Sequence, residues 1–221
     1  MNLMRRILSK VGPQQQSLTA RWLQPIENVW RLSILDCTQF ADGMTSFTSD
    51  QQIAESFNRL RTESGQQLSN GDFPPRQSFR CNLAYEINKQ PPDGPVFKSR
   101  VMEEKWDIYL YDSNLYFCRN WTGELVHCAV VESEPKRLRI VSVQSRENLP
   151  DKLAVRQVDF LVKSHLLLAV ALHPLLLELG HDAEKQALYT FNCYGRKGRY
   201  GTLEETLGTP YHWNQSPVTG G

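Results

Sequence analysis

Cys118 and His127 are the residues whose types and spacing come nearest to a catalytic pair in this chain. A histidine can take the proton of a thiol, and a third group such as Asp107 can hold the imidazole ring in place. A tight turn at Thr122-Gly123 would set the two residues opposite each other on antiparallel strands. Neighbouring positions on a flat pair of strands rarely supply the recessed pocket and oxyanion donors that acyl transfer requires. A half-buried cysteine beside a solvent-facing histidine is therefore the favoured interpretation, and we assign no catalytic residue.

Arg119 would stand in the middle of an apolar sheet face, where an unpaired charge destabilises a fold. Its planar guanidinium suits a phosphate or a carboxylate, so one interpretation is an anion-binding arginine. In the other interpretation, the side chain packs between Trp106 and Trp121 while its charged end reaches an internal acid such as Asp159 or Glu124. We favour the structural interpretation, because long charged side chains commonly bury their stems in this way.

Three tyrosines, Tyr109, Tyr111 and Tyr116, would share the opposite face of the same strands, flanked by charged residues. Aromatic residues with such neighbours are typical of a surface that binds another protein. This face is therefore the expected recognition surface, and it requires fewer assumptions than a catalytic site.

The segment from Tyr194 to Gly201 reads YGRKGRYG and combines cations, aromatic rings and glycines. Cations bind phosphates, aromatic rings stack on bases, and glycines let a backbone approach closely, so the pattern suits single-stranded nucleic acid. It lacks the spacing of the common phosphate-binding loops. The alternative is a flexible loop whose arginines pair with Glu204 and Glu205. The candidate binding residues of the segment are Arg196, Lys197 and Arg199.

The elements that must position these residues begin with three short strands between Trp106 and Glu132, joined by turns at Ser113-Asn114 and Thr122-Gly123. Two-residue turns determine which residues face one another and which share a face of the sheet. An error of one residue in either turn would exchange the faces of the strand beyond it. The expected partners are Trp106 with Trp121, Ile108 with Arg119, Leu110 with Phe117, Arg119 with Val126, Cys118 with His127, and Phe117 with Cys128.

The fold class indicated by the whole chain is α+β, with a mostly antiparallel sheet of about six strands from Phe79 to Val143. An amphipathic helix over residues 49–64 precedes the sheet. A long helix over about residues 151–179, with Asp151 as its N-cap, is expected to cover the apolar face. The expected organisation is a partly helical N-terminal segment over residues 1–48, a single α+β domain over residues 49–210 and a loose tail over residues 211–221.

The residue composition of the chain restricts the classes of function that the protein could have. With 221 residues, 40% of them hydrophobic and 22% charged, the chain is long enough for one substantial core. A formal net charge of +1 provides no general attraction to nucleic acid or to acidic membranes. Five cysteines without a C-x-x-C pair suggest free thiols in a reducing compartment, which makes the cytoplasm the expected location.

Membrane spans and metal sites are not expected. The apolar run from Leu166 to Leu177 is short and is interrupted by a His-Pro pair. A basic amphipathic helix over residues 1–12 could touch a membrane surface, although packing on its own domain is the favoured interpretation. Three histidines, at positions 165, 173 and 181, recur every eight residues, but one unbroken helix would hold them about 12 Å apart. That spacing is too wide for one metal ion, so we expect no metal site and no cofactor.

These observations favour a non-enzymatic soluble protein that binds another protein, for instance as an inhibitor or an immunity-type partner. One alternative is a hydrolase that uses Cys118 and His127, or that holds an anionic substrate with Arg119 and Arg196. A second alternative is nucleic-acid binding through residues 194–201.

Overall fold

The structure of the protein, a computed structural model, describes residues 8–11, 19–71, 73–150 and 152–213. The chain divides into two compact units. The single domain expected over residues 49–210 stays a prediction. The first unit comprises the described residues up to Gln51, the segment Val101–Lys105 and the described residues from Phe160 onward, and the second comprises Gln52–Arg100 and Trp106–Asp159.

The described residues form twelve strands and four α-helices, so the predicted α+β class is confirmed. None of these helices is long and apolar enough to cross a membrane. The strands are β1 (Leu8–Val11), β2 (Arg21–Leu23), β3 (Ile34–Asp36), β4 (Met44–Phe47), β5 (Gln77–Glu86), β6 (Gly94–Phe97), β7 (Trp106–Tyr111), β8 (Asn114–Arg119), β9 (Leu125–Glu134), β10 (Arg137–Ser145), β11 (Leu172–Pro174) and β12 (Tyr200–Thr202). The α-helices are α1 (Thr38–Gly43), α2 (Gln51–Leu60), α3 (Leu153–Leu161) and α4 (Ala183–Tyr194).

The second unit is built on a six-stranded antiparallel sheet with the strand order β5-β10-β9-β8-β7-β6. Strands β6 to β10 follow one another in the sheet as they do in the chain, because short connections join antiparallel neighbours. Strand β5 pairs with β10 at the far edge, and every second side chain along it is exposed. The predicted antiparallel sheet of about six strands is confirmed.

The first hairpin of this sheet turns one residue earlier than expected. Asp112 and Ser113 have φ angles of 48° and 59°, and a two-residue type I′ turn requires positive φ at both positions. Trp106 consequently pairs with Arg119. The predicted turn at Ser113-Asn114 is wrong, and each partner moves by two residues. A shift of two residues leaves the side chains of β7 and β8 on their expected faces.

The second hairpin has a longer loop than expected, and an irregularity in the pairing of β8 with β9 changes the register of β9. The Gly123 N–H donates to the Arg119 carbonyl at 2.8 Å, and the strand pairing is irregular just before Cys118. Phe117, rather than Cys118, faces His127. All three pairs predicted for this hairpin are therefore wrong. The irregularity adds one residue to β9 between Leu125 and His127, which turns His127 to the opposite face of the sheet from the one predicted.

The predicted helix over about residues 151–179 is much shorter in the structure. Helix α3 ends at Leu161, and a π-helical turn continues it to Leu166. The φ angle of 54° at Leu168 then stops the helix, and the chain enters the buried strand β11. An apolar run such as residues 166–172 suits a buried strand as well as a buried helix, so periodicity alone did not separate the two.

The predicted helix over residues 49–64 is present as α2 and ends earlier, at Leu60, with Phe57 and Leu60 buried. The predicted N-terminal segment contains α1, but much of its described part is strand. Within residues 1–12 the structure describes Leu8–Val11, which pair with β4 as a strand rather than forming a helix. The rest of that predicted helix and the predicted N-cap Asp151 lie outside the described residues.

The first unit contains a four-stranded sheet with the order β11-β12-β3-β2 and the separate pair β1-β4. Strands β11 and β12 are parallel, and α4 provides the crossover that a parallel pair requires. The other pairs are antiparallel. One cluster of its buried core consists of Leu35, Cys37, Phe40, Ala41, Met44, Leu175, Ala187 and Phe191.

Candidate functional site

Arg119 ends β8 in the second unit and is 8% exposed. Its guanidinium carbon lies 4.1 Å from the centre of the Trp106 ring and 5.8 Å from the centre of the Trp121 ring. One of its terminal nitrogens lies 4.0 Å from a carboxylate oxygen of Glu147. Cation–π contact with two rings and a nearby carboxylate stabilise a charge that has left water. Glu147 is an acid that neither interpretation of the sequence had named.

His127 lies on the same face of the sheet as Arg119 and is fully buried. Its ring stacks on Trp106 at 5.9 Å between centres, and its Nε2 lies 3.1 Å from the Gln157 amide oxygen on α3. Burial first, and the positive charge of Arg119 second, lower the pKa of His127 to about 3. The imidazole is therefore neutral near pH 7 and carries its proton on Nε2, which donates to Gln157. Its Nδ1 has no hydrogen-bond partner among the described residues.

Cys118 lies on the opposite face of the sheet from His127, so the predicted thiol–imidazole pair is not formed. The thiol belongs to a buried cluster with Tyr109, Tyr116 and other apolar groups. Burial raises its pKa to about 12, and the neighbouring carboxylate of Asp107 acts in the same direction. A thiol with this pKa stays protonated near pH 7 and is a poor nucleophile.

Asp107, the third of the candidate residues weighed with Cys118 and His127, holds its own unit together. Its carboxylate accepts the Ser99 N–H at 2.8 Å, the Ser99 hydroxyl at 2.9 Å and the Lys98 ammonium at 2.6 Å. Lys98 also donates to the Leu60 carbonyl at 2.7 Å and to the Tyr109 hydroxyl at 2.8 Å. This network ties β7 to the chain before it and to the end of α2, so the carboxylate is not available to orient a histidine.

The tyrosine face expected to recognise a partner is covered by residues of its own unit. Tyr109 and Tyr116 are 3% and 7% exposed, and Leu68 and Phe73 pack against their cluster. Tyr111 is half-buried, and its hydroxyl donates to a backbone carbonyl just after α2 at 2.9 Å. The aromatic rings therefore act as core, because the chain between α2 and β5 uses this face of the sheet.

The segment over residues 194–201 uses its glycines for packing within the first unit. A Cβ atom at Gly195 would overlap the Glu103 carbonyl oxygen. Tyr194 and Tyr200 are buried, so neither ring is open to a nucleic-acid base. The segment therefore presents cations to solvent but no aromatic ring on which a base could stack. Of its predicted binding residues, Arg196 and Arg199 are exposed and Lys197 is half-buried.

A buried charged cluster that sequence reasoning missed lies in the first unit around Lys105, which is 1% exposed. Its ammonium donates to the Ser46 hydroxyl at 2.5 Å and lies 4.6 Å from the centre of the Phe191 ring. The Glu103 carboxylate accepts the Ser46 N–H at 2.8 Å. A lysine beside a serine can activate the hydroxyl, but burial closes both side chains to a substrate. The charged run EEK reads as a solvent-exposed turn, so the sequence carried no signal of this cluster.

The second feature that sequence reasoning missed is an exposed apolar patch in the first unit, formed by Leu168, Tyr211 and Trp213, which we call the C-terminal patch. Leu168 is 61% exposed and Trp213 is 58% exposed. The Trp213 indole N–H donates to the Leu167 carbonyl at 3.1 Å, which holds its ring at the peptide bond that precedes Leu168. The Tyr211 and Trp213 rings meet edge to face at 5.2 Å. Large apolar side chains are thus presented together at the surface.

The backbone that carries the C-terminal patch is held in place. Val170 and His212 exchange two backbone hydrogen bonds, of 2.7 and 2.9 Å. The Trp30 indole N–H donates to the Pro210 carbonyl at 2.8 Å, and the Lys163 ammonium donates to the Thr209 carbonyl at 3.2 Å. Residues 211–213 of the predicted loose tail are therefore anchored, and the rest of that tail lies outside the described residues. The sequence shows a tryptophan in an uncharged segment, and that segment was predicted to be part of a loose tail.

No group of three or more His, Cys, Asp or Glu residues that could hold a metal ion occurs in the part of the chain that the structure describes. Comparison of the chain with protein-family models, with curated proteins and with solved structures found no match. The geometry of the sites is therefore the basis for a functional proposal.

Proposed function

We propose that the protein acts by binding another protein rather than by catalysing a reaction. The proposal rests on one observation, the exposure in the C-terminal patch of both Leu168 and Trp213, whose indole is hydrogen-bonded to the Leu167 carbonyl. Tryptophan and tyrosine are prominent among the residues that supply binding energy at protein interfaces. An exposed leucine at positive φ does not stabilise the fold, since leucine disfavours that conformation and remains in water. Such a local outlier motivates a hypothesis of function.

The chemistry of the candidate catalytic groups agrees with this proposal. The hydrolase alternative needs a thiolate next to a basic imidazole, whereas Cys118 is protonated and His127 lies on the other face of the sheet. The Arg119 guanidinium is packed against two tryptophan rings. The nucleic-acid alternative retains exposed cations but has no exposed ring in residues 194–201. The narrower role of inhibitor or immunity-type protein and the cytoplasmic location stay predictions.

Capture from native lysate tests the proposal. The full chain is immobilised through a tag, incubated with lysate, lightly cross-linked and compared with a resin that carries the tag alone. We expect one protein to be recovered in roughly stoichiometric amount. Recovery of no such protein across several growth states would contradict a binding function. A Cys118→Ser protein should capture the same partner equally, and chemical turnover of a captured protein that depends on Cys118 would favour the hydrolase instead.

A further inference from the structure

The surroundings of the C-terminal patch indicate the chemistry of its partner, and this inference rests on the proposed function. Residues 166–177 and 206–213, which form and flank the patch, contain no Asp, Glu, Lys or Arg. Lys163 lies beneath the patch, 5.8 Å from the centre of the Tyr211 ring, but it is 4% exposed and its ammonium donates to a backbone carbonyl. The segments that form the patch are therefore apolar and uncharged.

The Trp213 side chain and the backbone that carries Leu168 are already held in position. The indole N–H of Trp213, its one polar group, donates to the Leu167 carbonyl, so it requires nothing from a partner. The backbone on either side of Leu168 is held by hydrogen bonds from the Leu167 N–H to the Val162 carbonyl, at 3.0 Å, and from the Ala169 N–H to the Lys163 carbonyl, at 2.9 Å. Groups that are already ordered lose little conformational entropy on binding. What they offer is apolar surface alone.

The size of the patch argues against a contact between two copies of this chain. Leu168 and Trp213 together expose on the order of 250 Å² of side chain. A stable interface buries about 800 Å² on each partner. Two such patches meeting face to face would bury too little, whereas a concave partner can enclose both side chains and add contacts around them.

We infer that the C-terminal patch inserts Leu168 and Trp213, as paired anchors, into an uncharged apolar pocket of a partner protein. Because no charge takes part, binding is insensitive to salt. Because both anchors fill one pocket, the loss of either weakens binding by about ten-fold or more.

Three variants of the full chain test the inference, namely Leu168→Gly, Trp213→Ala and the control Leu177→Ala. Leu177 is 73% exposed in the same unit, so its removal changes an exposed leucine outside the patch. The probe is the lysate protein captured by the unmodified chain, quantified at about 50 mM and about 500 mM NaCl. We expect capture to fall about ten-fold or more in the first two variants, to stay unchanged in the control, and to vary less than about two-fold with salt. A loss in Leu168→Gly cannot be ascribed to unfolding, because glycine suits positive φ better than leucine.

Several outcomes would overturn the inference while leaving the proposed function intact. Capture that is equal in all three variants would place the interface elsewhere, and capture that disappears at high salt would show a charged interface. Association of the purified chain with itself that Trp213→Ala abolishes would identify a second copy as the occupant. Sedimentation with zwitterionic phosphatidylcholine vesicles that depends on Trp213 would identify a lipid surface instead. If the unmodified chain captures nothing, the proposed function itself fails.

Discussion

Acid should destabilise the second unit through His127, which is buried as a neutral imidazole against Trp106 and Gln157. The pKa of this histidine falls from 6.5 to about 3 on folding. Between these two values the unfolded chain binds a proton that the folded chain does not, so the stabilisation is complete above about pH 6.5 and is lost as the pH falls toward about 3. Each pH unit in this window corresponds to about 1.4 kcal/mol, so from about pH 7 to about pH 5 the loss is about 2 kcal/mol.

Hydrogen exchange of the backbone amides of β8 and β9 measures the free energy of opening of this unit. Between about pH 7 and about pH 5, we expect the free energy of opening to fall by about 2 kcal/mol less in His127→Gln than in the unmodified chain. A lower starting stability of the variant does not affect the test, because the comparison is between slopes. His181 is exposed, so His181→Gln serves as the matched control and should leave the slope unchanged. Equal slopes in His127→Gln and the unmodified chain would refute the account of His127 as a buried neutral base.

Three further predictions concern the backbone and the thiols. Leu168→Gly should leave the free energy of unfolding unchanged or raise it by up to about 1 kcal/mol in urea titration, because the residue has a φ angle of 54°; a clear loss would contradict this. Gly195→Ala should destabilise the first unit by about 2 kcal/mol or more, since its Cβ would meet the Glu103 carbonyl. Gly208→Ala, at a φ angle of 76° in open space, should lose only about 1 kcal/mol, and equal losses would count against the close packing. Cys118, whose pKa burial raises to about 12, should react with a thiol reagent far more slowly in native protein than in urea, and rapid native labelling would contradict its burial.

Much of the sheet was predictable from local patterns. Alternation of apolar and polar residues predicted β5, and the spacing of turn residues predicted the hairpins between Trp106 and Glu132. The exact turns were not predictable, because Asp112, Ser113 and Asn114 all tolerate positive φ and the backbone pairing selects among them. The irregular pairing of β8 with β9 had a larger effect, since one extra residue of β9 between Leu125 and His127 placed His127 on the opposite face from Cys118.

The candidate site was less predictable than the fold. The sequence showed which side chains were unusual, such as Arg119 among apolar neighbours, but not what would surround them. Glu147 follows β10 in the chain. It lies near Arg119 because β9 and β10 together bring the chain back to the end of β8. The position of Trp213 depends likewise on where the helical segment ends, because its indole N–H donates to the Leu167 carbonyl. The apolar run in the sequence did not indicate that a helix ends near Leu168.

The sequence by itself determined the α+β class, the strand periodicity and the amphipathic helix α2, because these depend on interactions between residues a few positions apart. Tertiary structure decided which face of the sheet is covered and which residues remain exposed. The sequence pattern placed both Tyr109 and Trp213 outside the core, yet the first is buried in a cluster against which Leu68 and Phe73 pack, while the second is exposed to solvent. The physical reason is that burial is set by distant segments competing for the same apolar surface, and no local pattern records which segment takes it.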